Sequence, residues 1–266
     1  MARVFIDDSG SSSTEPLMYV AGWVGQGETW DKFAVDWEQV LAASNPKPIR
    51  YFKLNEAYAL KGCFNDFLES EALDKMMALT EVINRHEIYG VAYIVGRPLL
   101  RHMIDKHAIT RGGRAHQNLE DPFFICMNSL IGYVLGAEYV GHPNDKVDFV
   151  FDGKPGSRQA TRAIAMYEVT RDLIHEPFRS IMGTAAAMDD REVLPLQAAD
   201  FLVGQVRAAI KLKDDPAPLA LMRRQKFMHV STVSKEVIEA TISAHNFGVS
   251  TRRLLTIKRE RDMEKG

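Results

Sequence analysis

Cysteine is scarce in this chain: Cys63 and Cys126 are the only two, and neither has a CxxC neighbour. That excludes a disulfide framework and argues against a cysteine-based zinc site. No apolar run approaches the roughly 20 residues that a membrane-spanning helix needs. The first residues lead straight into a strand pattern, with no basic-then-apolar targeting segment. With few thiols, this makes the reducing cytoplasm the expected location and a membrane partner unexpected. There is no phosphate-binding Gly loop followed by Lys, and no GxSxG elbow around Ser9. His102 and His107 are five residues apart, not the four that would put two ligands on one helix face. The other histidines are scattered and read as surface or capping residues. His116, in the polar Thr110–His116 loop, is the one kept as a second-tier site candidate. The aromatics fall at strand and helix-core positions, and no stacking platform for a single strand is visible.

What is present is an ordinary globular composition of 266 residues, 46% hydrophobic and 26% charged. The formal net charge is only -2, but it is unevenly spread. From Phe201 onward there are 13 Lys and Arg against 7 Asp and Glu, whereas the first 200 residues hold 20 basic and 28 acidic residues. The acidic part suits a cation site, and the basic part suits a phosphate backbone. One domain over 1–213 with helical insertions is expected. A C-terminal helical extension with a basic tail over 214–266 would pack on it.

Hydrophobic periodicity predicts a buried strand at residues 3–7 and a second at 17–24, joined as a loose hairpin. Further strands are predicted at 88–95 and 147–151, with a short one at 49–52 and an extended segment at 179–187. Helices are predicted over 31–41, 71–86, 98–107, 121–139, 159–174, 195–211 and 235–244. Strands mixed with helices, opening on a hairpin, indicate an α/β fold with a mixed sheet flanked by helices.

Three acids occupy unusual apolar settings. Asp7 follows Val4-Phe5-Ile6, and Asp152 follows Phe149-Val150-Phe151, each at a strand end. Asp200 lies in the apolar helix Leu194–Gly204, with Gln197 three residues earlier on the same face. An unpaired carboxylate in such a place would cost several kcal/mol, so a partner is expected. Carboxylates from separate elements that share a site are the ligand set of hard divalent cations, Mg²⁺ or Mn²⁺, in two-metal phosphodiester chemistry. Asp8 and Asp190 are possible further ligands, and Lys53, Glu56 and Gln197 are second-tier candidates. The competing readings are ordinary ones: Asp8 and Asp152 as turn residues, Asp189-Asp190 as a solvated loop, Asp200 paired with Arg207 one to two turns on.

Two stretches, Ile6-Asp7-Asp8-Ser9-Gly10 and Pro195-Leu196-Gln197-Ala198-Ala199-Asp200-Phe201-Leu202-Val203-Gly204, resemble the two signatures of the family catalogued as domain of unknown function 3800. Those signatures are an apolar strand running into Asp-Glu-Ser-Gly, and an apolar-Gln-x-Ala-Asp-apolar-apolar-Gly helix. The resemblance implies an RNase H-like sheet with acids gathered at one edge and a metal-dependent nuclease activity. It places the first family acid on Asp7 and the helix acid on Asp200, with Asp152 as the central acid. The chain departs from the pattern at Asp8, where the family often has Glu. Lys53 and Glu56 lie where the family often has a polar motif. The expectation is therefore a divalent-metal-dependent nuclease or phosphodiester hydrolase acting on nucleic acid of unspecified type. The alternative is a catalytically inactive RNase H-like module that binds nucleic acid or protein, within a mobile-element or phage-defence system.

Overall fold

The computed structural model describes residues 1–107, 118–137 and 146–244. His116 and the basic tail beyond residue 244 lie outside the described residues.

A six-stranded mixed sheet organises the chain: β1 (Ala2–Ser9), β2 (Leu17–Gln26), β3 (Ile88–Gly96), β4 (Val147–Asp152), β5 (Met182–Met188) and β6 (Met228–Thr232). Their order is β5-β4-β1-β2-β3-β6. β2 pairs antiparallel with both β1 and β3, whereas β1–β4, β4–β5 and β3–β6 are parallel. Five strands thus run one way and β2 alone runs back. The ends of β1, β4 and β5 emerge at the same edge.

Both faces of the sheet are covered, which is why β2 reads as a continuous apolar run rather than an alternating one. One face carries α1 (Gly27–Ala42), α2 (Leu54–Ala59), α3 (Glu69–Arg85) and a long central helix, Leu194–Leu212. The other face carries α4 (Arg97–Lys106), α5 (Pro122–Gly136) and α6 (Arg158–Leu173), with a short α7 (Phe178–Ile181) leading into β5. The central helix becomes α8 in chain order, and α9 (Ala217–Gln225) precedes β6.

Strand alternation sorts each side chain to one core or the other. Val4 and Ile6 of β1, with Phe149 and Phe151 of β4, pack beneath α5 and α6. Phe5 and Val150 pack on the opposite side, against α8. Two buried indoles fix α8 there: Trp23 Nε1 donates to Ala198 O at 3.0 Å, and Trp37 Nε1 donates to Gln197 Oε1 at 3.0 Å.

Three expectations change. Residues 49–52 are not a strand, because the Phe52 N–H is satisfied by the Gln197 side chain (3.1 Å) rather than by a neighbouring strand. The segment after α9 supplies a sixth strand, β6, which extends the sheet along β3. Arg207 does not pair with Asp200: its guanidinium binds Glu15 Oε1 at 2.5 Å and Ser9 Oγ at 3.1 Å.

Candidate functional site

Asp7 and Asp152 share a face for a simple reason. Ile6 is in register with Phe151 on the neighbouring parallel strand, so the next residue of each strand turns to the opposite side, toward α8. Asp200 approaches from α8 on that face. Asp7 is 7% exposed and its Oδ1 accepts the Asp8 N–H at 2.7 Å. Asp200 Oδ2 accepts the Leu54 N–H at 2.8 Å, which ties the start of α2 to the site. Asp152 Oδ1 accepts the Asp190 N–H at 3.2 Å, and Gly153 N donates to Met188 O at 2.9 Å, so the ends of β4 and β5 are cross-tied.

One cation enters this group. Lys53 Nζ forms an ion pair with Asp190, whose side chain is 3% exposed. Asp190 and Lys53 come from loops 137 residues apart, before α2 and after β5.

Charge repulsion and burial dominate the electrostatics. Burial pushes the Asp7 carboxyl well above its ordinary range, and the negative charges of Asp200, Asp152 and Asp8 push it further. Burial also lifts Asp200, to about 6, against the opposing effects of the Leu54 N–H and Lys53. Asp7 and Asp200 act on one another directly: after burial, the Asp200 charge is the largest effect raising Asp7. Asp152 and Asp190 are raised by burial as well, with Lys53 acting against the shift. Burial alone would lower the Lys53 pKa, but Asp190, Asp200 and Asp152 together outweigh it, and the ammonium stays charged. Among the described residues, Asp7, Asp152, Asp190 and Asp200 gather about the single ammonium of Lys53.

Asp8 goes to the other face of the sheet. It bonds Ser11 and accepts from Gln159 Nε2 of α6 at 3.5 Å, with Arg162 nearby. Arg162 in turn binds Asp121, the N-cap of α5. A narrow crevice at the strand ends is lined by Asp7, Asp8, Asp152, Gln159 and Arg162, with free space of about 10 Å³. That is about the room one water-sized particle needs.

The second-tier residues separate. Gln197 is fully buried beneath the acids as a hydrogen-bond hub. Its Oε1 accepts from Trp37 and Phe52, and its Nε2 donates to Asp190 O at 2.9 Å. Glu56 is occupied elsewhere, accepting from Tyr51 Oη at 3.2 Å and Cys63 N at 3.0 Å. Its carboxylate fills the space over Gly62, where φ is +55° and any Cβ would collide with it. Asp189 faces outward, held below its usual range first by the Arg191 N–H.

The donor chemistry of the inner group is uniform: hard carboxylate oxygens with one ammonium. Among the described residues, no three His, Cys, Asp or Glu side chains form a ready-made metal-binding set. No helix among them is long and apolar enough to cross a membrane. No protein-family model matches the chain, and no curated protein matches it.

Proposed function

We propose that this protein is a divalent-metal-dependent phosphodiester hydrolase acting on nucleic acid, built on an RNase H-like sheet, with Asp7, Asp152 and Asp200 as its central acids. The observation that carries this reading is that those acids, from two adjacent parallel strand ends and a facing helix, come to one face, where Asp200 and Asp152 raise the pKa of Asp7 and Asp200 raises that of Asp152. The six-stranded mixed sheet flanked by helices is compatible with this reading.

The donor chemistry, though not a ready-made three-ligand set among the described residues, is that of a hard cation. Every donor in the group is a carboxylate oxygen, and repulsion among the acids would be relieved by positive charge. Asp7, Asp152 and Asp200 would hold Mg²⁺ or Mn²⁺, with Asp190 as an adjoining ligand. Such a cation, once bound, would supply positive charge to stabilise the transition state of phosphodiester hydrolysis.

The protein's own groups do the rest. β1 and β4 fix two carboxylates on rigid strand ends, and the Leu54 N–H orients the third. Lys53 places a positive charge beside the acids, where it can offset negative charge developing on a phosphate oxygen. Asp200, raised to about 6, gives up its proton on entering the neutral range, which frees its carboxylate to bind a cation.

The test is cleavage of single- and double-stranded DNA and RNA with Mg²⁺, with Mn²⁺ and with chelator. Metal-dependent cleavage that disappears in Asp152→Asn is the expected result. Cleavage in chelator, or a fully active Asp152→Asn protein, would overturn the reading. A second reading, an inactive RNase H-like binding module, is favoured by one observation: Lys53 already neutralises Asp190. It predicts salt-sensitive nucleic-acid binding without turnover or metal uptake.

A further inference from the structure

A groove opens from Asp200 along the outer side of α8. It has a volume of about 240 Å³ and lies between α2, α8 and the end of β1, lined among others by Ser9, Tyr58, Asp200, Gly204, Arg207 and Lys211. Its floor is apolar and depends on Gly204, where an added Cβ would lie 2.3 Å from Leu54 Cδ2. The charges are arranged in sequence, with the Asp200 carboxyl at one end and two cations about two and three turns further along the helix. Arg207 is fixed in place by Glu15 and Ser9, and its Nε, sheltered from solvent, makes no hydrogen bond. Lys211 is half-exposed, 3.8 Å from the same Glu15 carboxylate, so two cations share one anion. Tyr58 stands at the rim with 52% of its surface exposed.

Apolar floor, exposed aromatic ring, paired cations and an adjoining acidic centre describe a nucleotide rather than a bare anion. We propose that this groove is a subsite for one unpaired nucleotide of a nucleic-acid strand, adjacent to the phosphodiester presented to Asp200. Arg207 and Lys211 take its phosphate and Tyr58 stacks on its base. A base already paired and stacked in a duplex is not free to enter, so the favoured substrate is single-stranded or frayed. The volume lies just below the roughly 300–1,000 Å³ of sites that enclose a whole small ligand, which suits part of one nucleotide and not a base pair.

This inference rests on the hydrolase reading, and the experiment keeps the two apart. Wild type, Tyr58→Ala and Lys211→Met are compared, since both changes are at exposed positions and leave the core intact. Binding of a fluorescein-labelled single-stranded oligonucleotide is measured in chelator over a range of salt. Hydrolysis of the same strand and of bis(4-nitrophenyl) phosphate, too small to reach the groove, is measured with Mn²⁺. Tyr58→Ala is expected to weaken strand binding by about tenfold, the scale of one base–aromatic stack. Lys211→Met is expected to reduce the salt slope by about 1. If wild type is active, KM for the strand rises in both variants while hydrolysis of the small diester is unchanged. Unchanged binding and salt slope in both variants, or a wild type that prefers duplex, overturns the subsite even if cleavage is robust. Absence of any cleavage defeats the hydrolase reading, while the binding measurements still decide the subsite.

Discussion

Asp7 and Asp8 are consecutive in the chain and serve opposite faces of the sheet. Asp7 turns toward Asp200 on α8, whose charge adds to burial in raising its pKa, while Asp8 turns toward Gln159 and Arg162 on α6. Strand alternation leaves them no other choice. Asp7→Asn should therefore lower kcat/KM by at least about a hundredfold, whereas Asp8→Asn should cost less than about tenfold. Steady-state kinetics on one labelled strand check this, and equal losses would show that both acids serve the same centre.

The raised Asp200 pKa has a stability consequence in the metal-free protein. Between the ordinary carboxyl value of 3.8 and about 6, the folded protein holds a proton that the unfolded chain has released. Stability from this group therefore falls as pH rises through that window and is flat above it. Asp200→Asn removes the penalty, so in chelator at pH 7.5 the variant should be more stable than wild type, on the order of 2 kcal/mol. The two should converge below pH 4. Urea unfolding at both pH values measures it, and a variant less stable than wild type at pH 7.5 would contradict the strained-acid account.

Lys53 and Asp190 should couple strongly. Lys53→Met strands a nearly buried carboxylate and is expected to cost on the order of 3 kcal/mol. Adding Asp190→Asn should recover most of that loss. A double-mutant cycle by denaturant unfolding at pH 8 tests it, and additive effects would mean that the pair contributes nothing.

Gln197 should behave as a structural residue rather than a ligand. Gln197→Leu leaves the Trp37 indole N–H, the Phe52 N–H and the Asp190 carbonyl without their partner. At about 1–3 kcal/mol for each buried group, a loss of at least about 3 kcal/mol is expected. A changed near-UV signal from Trp37 should accompany it. Wild-type unfolding would show that the hub is dispensable.

The reading of the sequence succeeded where a local pattern decides the outcome. Apolar runs and turn residues marked β1 to β4 and the helix at Leu194–Leu212, and the parity of Asp7 and Asp152 relative to Phe5 and Val150 follows from a period of two. It failed where a distant partner decides. Met228–Thr232 has only a weak strand pattern, and it pairs because β3 offers an open edge. Residues 49–52 look like a strand, yet the Phe52 N–H is satisfied by Gln197, 145 positions away, and the Ile49 N–H by Leu41 O. Tyr58 has no aromatic neighbour in its short helix to mark it, so its place beside Arg207 and Lys211 was not legible.

The sequence by itself determined that this is an α/β chain whose acids sit at strand ends and on an apolar helix, because periodicity and burial cost act on neighbouring residues. Only the tertiary structure decided which acids meet. Asp7, Asp152 and Asp200 converge because register, helix docking through Trp23 and Trp37, and the Lys53–Asp190 pair close distances of more than a hundred residues. Local propensity carries no record of such long-range contacts, since each is specified jointly by two segments and by neither alone.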